Sequence, residues 1–342
     1  MMRLLKRILP SYRAVNKVDK RIKDLSGKIN RIENQIKDLD KKNEYLFYCS
    51  QSMEGESIAE TKKRFFLNMP KEDGDLRIIQ KGSAYILKRL KEICDKNGIM
   101  FFLEGGTLIG AERHHGFIPW DDDIDIGMLR EDFWKLWGIL KDDEELSIHY
   151  YYMYNPNKIP VSSDLITKVK LKSSDIFYVD VFPYDCVDTD DMERFFEQHN
   201  EYSKELHKEL KKYFEQKNYQ QKNYCIPQAE PSFDNEITEI IKKKLIEYCY
   251  KKSGNTVVLG LEQSFGFINR CGIYKYDSYF PLIKECVAFE GEKYYAPKEY
   301  KNMLNNKYGD YMCLPTNIQP CHLIELAGLS DSERTFVEQI KD

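Results

Sequence analysis

Between Asp121 and Met128 the chain reads D-D-D-I-D-I-G-M, so Asp123 and Asp125 alternate with Ile124, Ile126 and Met128. A period of two belongs to a strand, with carboxylates on one face and apolar side chains buried on the other. Same-face neighbours stand about 6.5–7 Å apart at the backbone. Two carboxylates held there repel, and one tends to take up a proton unless a cation lies between them. A divalent ion fits, and Mg²⁺ fits best, with Mn²⁺ as its substitute. Mg²⁺ takes a few carboxylates together with phosphate oxygens and water, whereas calcium is caged by many protein oxygens. The order of side chains does not match an EF-hand loop. The bland alternative, a solvated acidic turn, is disfavoured by the interleaved isoleucines and by Trp120 beside the cluster.

Upstream, I-M-F-F-L from Ile99 to Leu103 reads as a buried strand, followed by Glu104-Gly105-Gly106-Thr107 and a short segment Leu108–Arg113. Glycines let backbone approach a ligand closely, and Gly105, Gly106 and the Thr107 hydroxyl can cradle a phosphate. A Gly-Gly pair alone is weak evidence; joined to the acidic strand it gains specificity. Asp180, in Y-V-D-V-F-P-Y-D, is a further carboxylate on an apolar strand. It can complete a metal shell or accept a proton from an attacking hydroxyl. Asp185 lies beyond Pro183 and is a poorer candidate.

The 342 residues exceed one comfortable compact domain, which argues for a catalytic-sized core with appendages. Helices are expected over 77–97, 130–140, 190–213 and 235–250, and from Pro297 to about Asn306. Strands are expected over 146–151, 165–171 and 176–182, with a hairpin at 286–289 and 293–296. The expected class is α/β (α+β), a mixed sheet with surrounding helices. Residues 216–233 read as a polar connection and the last 30 as weakly patterned. The nine dispersed cysteines never form a C-x-x-C pair, so free thiols are expected rather than zinc or disulfides. No apolar run is long enough for a membrane span, and M-M-R-L-L-K-R-I-L-P-S-Y lacks the length and cleavage site of a signal peptide. A cytoplasmic protein is expected.

Net charge is −4, but residues 1–50 carry a balance of +7. A basic leader on an acidic body argues against nucleic acid and for something anionic near the N-terminus. Residues 1–12 interleave Leu4, Leu5, Ile8 and Leu9 with Arg3, Lys6 and Arg7, which suits a peripheral contact with an anionic membrane face. Pro10 is expected to separate this leader from the next helix. Over 13–48, apolar residues recur at 3,4 spacing from Val15 to Leu46, a coiled-coil pattern for a homo-oligomer of two or three strands. Asn43 at an a position favours a parallel dimer. The stripe could also dock on the protein's own body. Residues 49–76 read as a linker.

The run F-L-E-G-G-T-L-I-G-A-E-R-H-H-G-F-I-P-W-D-D-D-I-D-I-G-M-L-R-E-D-F, with D-V-F-P-Y-D, F-E-G-E-K-Y-Y-A-P-K-E-Y and K-Y-G-D-Y-M-C-L-P, closely resembles the LicD family of phosphocholine-transferase-like, fukutin-related proteins. The resemblance covers residues 77–325 and leaves 326–342 as a tail. It implies a nucleotidyltransferase-like fold and transfer of a phosphorylated alcohol, such as phosphocholine, from a CDP-activated donor. It further implies a hydroxyl of a cell-surface glycan or lipid-linked precursor as acceptor, with CMP as the leaving group. It makes Gly105, Gly106 and Thr107 the phosphate turn, Asp123 and Asp125 the metal ligands, and Asp180 the third acid. Asp121 orients the loop. Arg113 is the candidate cation for the transferring phosphoryl oxygens and His114 a competing proton shuttle. Trp120 and Lys298 are candidate donor contacts, and Glu290 a contact to acceptor sugar or choline ammonium. His115 stands where the family often has lysine, and Glu112 where a small apolar residue is usual. A nucleotide-sugar glycosyltransferase and a non-catalytic coiled-coil scaffold are the rival functions.

Overall fold

The computed structural model describes residues 2–155, 162–174, 176–216, 231–248, 254–263, 273–315 and 328–340. His322, Cys225, Cys249, Cys271, Cys321 and most of the 216–233 connection lie outside them. Two compact units divide the chain, Met1–Phe65 and Phe66–Asp342.

The first unit is dominated by one helix, α1 (Met2–Gln51). It runs through Pro10 rather than restarting after it, which corrects the expected break: Pro10 lies in the third turn of an established helix, where proline strains the backbone without ending it. The supposed linker contains a second helix, α2 (Ile58–Leu67). Its start is a reciprocal cap, since Ser57 Oγ accepts from the Glu60 amide at 3.3 Å and Glu60 Oε2 accepts from the Ser57 amide at 2.9 Å. Phe65 packs edge-on against Phe47 and Tyr48, with ring centroids 5.3 and 5.7 Å away.

The second unit begins with α3 (Asp75–Asn97), whose buried face carries Ile79, Ser83, Ile86, Leu87, Leu90, Ile93 and Cys94 at helical spacing. Then come β1 (Phe102–Leu103), α4 (Gly105–His114), β2 (Asp125–Leu129), α5 (Arg130–Leu140), β3 (Leu146–Asn155), β4 (Ser162–Leu171) and β5 (Tyr178–Val187). The order continues with α6 (Met192–Gln216), α7 (Pro231–Glu247), β6 (Thr256–Leu259), β7 (Ile273–Lys275), α8 (Tyr276–Tyr279), β8 (Ile283–Phe289) and β9 (Glu292–Ala296). It ends with α9 (Tyr300–Tyr308) and α10 (Asp331–Gln339).

β1, β2, β5, β4 and β3 lie side by side in that order; β6 joins the second half of β5, and β7 pairs with β6. Strand β2 runs parallel to β5, and the remaining pairs are antiparallel. The result is the expected mixed α/β core. Strand β5 is buried throughout, so both faces of the sheet are covered. Val179 and Val181 belong to the core under α3, while Phe182, Tyr184 and Cys186 join Phe102, Leu259, Tyr279 and Met303 on the opposite face.

Three expectations are corrected. β5 continues through Pro183, because β4 pairs only as far as Val181 and β6 begins at Tyr184. The missing N–H falls between those two partners, and the Pro183 carbonyl accepts from the Gly260 amide at 2.8 Å. Asp185 is thus a buried strand residue, and its partner is Arg130 at the start of α5. Arg130 Nε donates to Asp185 Oδ1 at 2.7 Å, and Nη1 and Nη2 donate to the two carboxylate oxygens of Glu262, each at 2.7 Å.

The helix after Pro297 starts only at Tyr300, since the Lys298 and Glu299 amides bond to the Tyr279 and Ser278 carbonyls and hold that turn off the helix. The last 30 residues contain α10, which is started by a Ser330–Glu333 capping box and tied to the body by Ser174 Oγ donating to Glu333 at 2.5 Å.

Candidate active site

Asp125 is the first residue of β2, and parallel register sets it directly beside Asp180 on β5. The Asp180 amide donates to the Ile124 carbonyl at 2.7 Å, which locks that register one residue upstream. Asp123, two residues before Asp125, completes the group. Asp123, Asp125 and Asp180 each offer an oxygen, and these oxygens lie within 4.8 Å of one another. Ile124, Ile126 and Met128 are fully buried on the reverse face, as the alternation requires.

The electrostatics of this group favour a cation. Burial pushes the Asp125 carboxyl well above its ordinary range, and the neighbouring charges of Asp123 and Asp180 push the same way; Lys307 opposes them. Asp180 Oδ1 is buried and accepts no hydrogen bond among the described residues, although Lys168 Nζ lies 2.9 Å from it. The aligned bond from Lys168 goes to Oδ2, at 3.1 Å. Three converging carboxylate oxygens are a donor set suited to a hard divalent cation.

The Gly-Gly-Thr element closes over this group. It is the first turn of α4 rather than a turn before a helix at Leu108, with Glu104 as N-cap. The amides of such a first turn have no acceptor within their helix. Thr107 Oγ accepts the Asp125 amide at 2.8 Å, and the Glu104 amide donates to the Asp125 carbonyl at 3.0 Å, so α4 is pinned to β2 at the carboxylates. Gly105 has φ +54°, and a Cβ there would stand 2.9 Å from Asp125 Oδ2. One at Gly106 would stand 2.8 Å from Asp121 Oδ2, which places Asp121 against the helix start. Gly105→Ala is expected to lower stability by roughly 1–2 kcal/mol through the left-handed backbone. It should also displace the Asp125 carboxylate and weaken Mg²⁺ binding. Thermal unfolding and calorimetric Mg²⁺ titration check both parts; an alanine chain with unchanged Mg²⁺ affinity would show that the close approach is incidental.

Other candidates fall elsewhere. Arg113 sits at the far end of α4, 4% exposed, donating to the carbonyls of Tyr311 at 2.6 Å and Cys313 at 3.2 Å, with its guanidinium 4.3 Å from the Phe66 ring centroid. Those carbonyls and that ring hold the guanidinium at this end of the helix. His114 Nε2 accepts from Arg113 Nε at 2.9 Å, and Nδ1 is 2.9 Å from the Phe66 carbonyl, so both ring nitrogens are occupied. Burial, then the Arg113 charge, pull its pKa down to about 4. The imidazole is thus neutral near pH 7 and tied at both nitrogens to Arg113 and the Phe66 carbonyl.

His115 is an exposed left-handed cap with φ 57°, bonding through its amide to the Gly110 carbonyl. Glu290 faces Arg77 at 2.7 Å and Lys71 at 3.0 Å. Burial raises its pKa, but those two cations outweigh it and the net shift is downward. Its carboxylate ties these two cations to this surface. Trp120 is half-buried against the core, and Gln80 fixes the loop beside it by donating to the Pro119 and Asp121 carbonyls at 3.2 and 2.8 Å. Lys298 is exposed on its turn.

Two cations by the carboxylates were not singled out from the sequence. Lys168 pairs across β4 with Asp180, is 6% exposed, and stacks 3.4 Å from the Tyr178 ring centroid. The signal was a lysine on an apolar strand, but its partner lies in another strand. Lys307 binds Glu104 Oε1 at 3.1 Å, while Tyr184 donates to Oε2 at 3.0 Å.

Residues 98–229 match the family model described as LicD/FKTN/FKRP, nucleotidyltransferase domain. The chain is 28% identical over 266 residues to the lipopolysaccharide cholinephosphotransferase LicD of Haemophilus influenzae, covering 70% of this chain and 93% of that protein. It is 44% identical over 72 residues to an uncharacterized protein of Rickettsia prowazekii, 20% of this chain and 27% of that one. It is 39% identical over 57 residues to the human ribitol 5-phosphate transferase FKRP, 17% of this chain and 11% of that one.

Proposed function

From the premise that this chain carries a LicD-family nucleotidyltransferase-like domain, we propose that it transfers a phosphorylated alcohol from a CDP-activated donor to a hydroxyl of a cell-surface glycan or its lipid-linked precursor. The observation that carries this reading is the convergence of Asp123, Asp125 and Asp180 beneath the first turn of α4.

In the proposed reaction an acceptor oxygen forms a bond to the donor's distal phosphorus as the bond to CMP breaks, and the carboxylate cluster takes the hydroxyl proton. Asp123, Asp125 and Asp180 would hold Mg²⁺, which when bound neutralises the pyrophosphate and the departing CMP. Lys168 balances the charge of Asp180 and keeps its carboxylate in place. The amides of Gly105, Gly106 and Thr107 meet phosphate oxygens, helped by the positive end of α4. Lys307 adds a fixed cation on the α9 side. Relatives named for choline phosphate and for ribitol 5-phosphate support the phospho-alcohol class while differing in the alcohol. No helix among the described residues is long and apolar enough to cross a membrane. The basic leader suits the anionic inner face of a membrane, where lipid-linked precursors are met.

The test is CMP release by the full chain with Mg²⁺ against CDP-choline, CDP-ribitol and CDP-glycerol, with nucleotide sugars in parallel. At least one CDP-alcohol should be consumed, and chelation should abolish the turnover. Turnover of nucleotide sugars alone would overturn the reading in favour of a glycosyltransferase.

A further inference from the structure

Among the described residues nothing covers the apolar stripe of α1 from Val18 to Leu46: Val18, Ile22, Leu25, Ile29, Ile32, Ile36, Leu39 and Leu46 are each between 52% and 63% exposed. A row of large aliphatic side chains that long is costly to leave in water. It spans roughly 42 Å at the helical rise per residue. With Val15 at a and Val18 at d, the flanking positions separate cleanly by sign. The e positions are Asp19, Ser26, Glu33 and Asp40, and the g positions are Arg21, Lys28, Gln35 and Lys42. All of them are exposed. No base stands at e and no acid at g.

We infer that this stripe is covered by a second copy of the same chain, paired parallel and in register. In that arrangement each g side chain meets the e side chain of the next heptad on the other helix. Arg21 then faces Ser26, Lys28 faces Glu33 and Gln35 faces Asp40, each contact occurring twice by symmetry. Every one is attractive or neutral. An antiparallel pair sets g against g and e against e, so with the stripes aligned Arg21 would face Lys42 and Asp19 would face Asp40, while Lys28 and Glu33 would face only Gln35 and Ser26. The charge pattern therefore selects direction as well as partner. Asn43, exposed on the same stripe, occupies an a position and bonds to its own copy only when the helices are parallel and in register. Both chains then leave the paired helices at the same end.

Charge exchange tests the inference on the full chain. Sedimentation equilibrium should give a dimer. Lys28→Glu sets the introduced carboxylate against Glu33 of the other copy, twice by symmetry. Glu33→Lys likewise sets the introduced ammonium against Lys28, again twice. Each variant alone should dimerise roughly tenfold or more weakly. Mixed in equal amounts they should form a heterodimer of at least native affinity, because each mismatched contact becomes an opposite-charge pair. These side chains are solvent-exposed, so the fold is unaffected, and far-ultraviolet circular dichroism verifies this. A wild-type monomer would overturn the inference by showing that the stripe packs on its own chain. A trimer, or mixed variants that stay as weakly associated as either alone, would overturn it as well.

Discussion

Asp125→Asn is expected to lower CMP release by roughly 10³-fold, the scale of losing several kcal/mol of metal-borne charge stabilisation. The amide is isosteric but supplies no negative charge and binds a hard cation poorly. Stability should move the other way in the metal-free protein. The Asp125 carboxyl is raised above its ordinary range by burial and by Asp123 and Asp180. A raised acid binds more protons folded than unfolded, so its cost is absent below the unfolded value of about 4 and grows as pH rises toward the folded value. Asparagine removes that cost. Chelator-treated wild-type and Asn chains should melt alike near pH 4, with the Asn chain melting higher at neutral pH. Adding Mg²⁺ should raise the wild-type transition and leave the variant unmoved. Equal Mg²⁺ response in both would remove Asp125 from the ion site.

Arg130→Met is expected to destabilise the fold by about 3–5 kcal/mol, the cost of stranding buried charges without their partner. The guanidinium is 8% exposed, and Asp185 and Glu262 are 1% and 0% exposed. Burial works against the charge of Arg130, but the two carboxylates outweigh it and hold it ionised. Asp185 also accepts the Leu261 amide at 3.2 Å, so the group binds the start of α5, the second half of β5 and the chain leaving β6. A loss of that size is a large share of a typical domain's roughly 5–15 kcal/mol. Urea unfolding followed by tryptophan fluorescence measures it. A shift under about 1 kcal/mol would mean that water replaces the guanidinium and the triad is not a dry clamp.

The carboxylate strand was legible because alternation is local: Asp123 and Asp125 declare their shared face within six residues. α3 was equally plain from its 3,4 spacing. The capping boxes at Ser57–Glu60 and Ser330–Glu333 were also written locally, as S-x-x-E, and mark helices in stretches that otherwise read as linker and tail. What could not be read was lateral. Whether β5 lies beside β2, and which lysine then faces Asp180, depends on strand order, to which the alternation of a single strand is blind. Pro183 misled for the same reason: a proline ends a strand only where a neighbour needs its N–H, and here two neighbours leave a gap. Arg113 and His114 lie close to the Gly-Gly-Thr turn in sequence but not in space. The seven residues from Thr107 to Arg113 span most of a ten-residue helix, which carries them away from its N-terminal end.

The parallel pairing of β2 with β5 also determines when the site exists. Asp125 and Asp180 become neighbours only after α5, β3 and β4 have carried the chain across and back. Unfolded or partly folded chains have the same aspartates but no common centre for them, so on the proposed reading cation affinity would belong to the native topology. An ion held there would couple its occupancy to the integrity of the crossover in a single linked equilibrium. A lesion anywhere in that excursion will read out as weakened metal affinity, even when every liganding residue is intact.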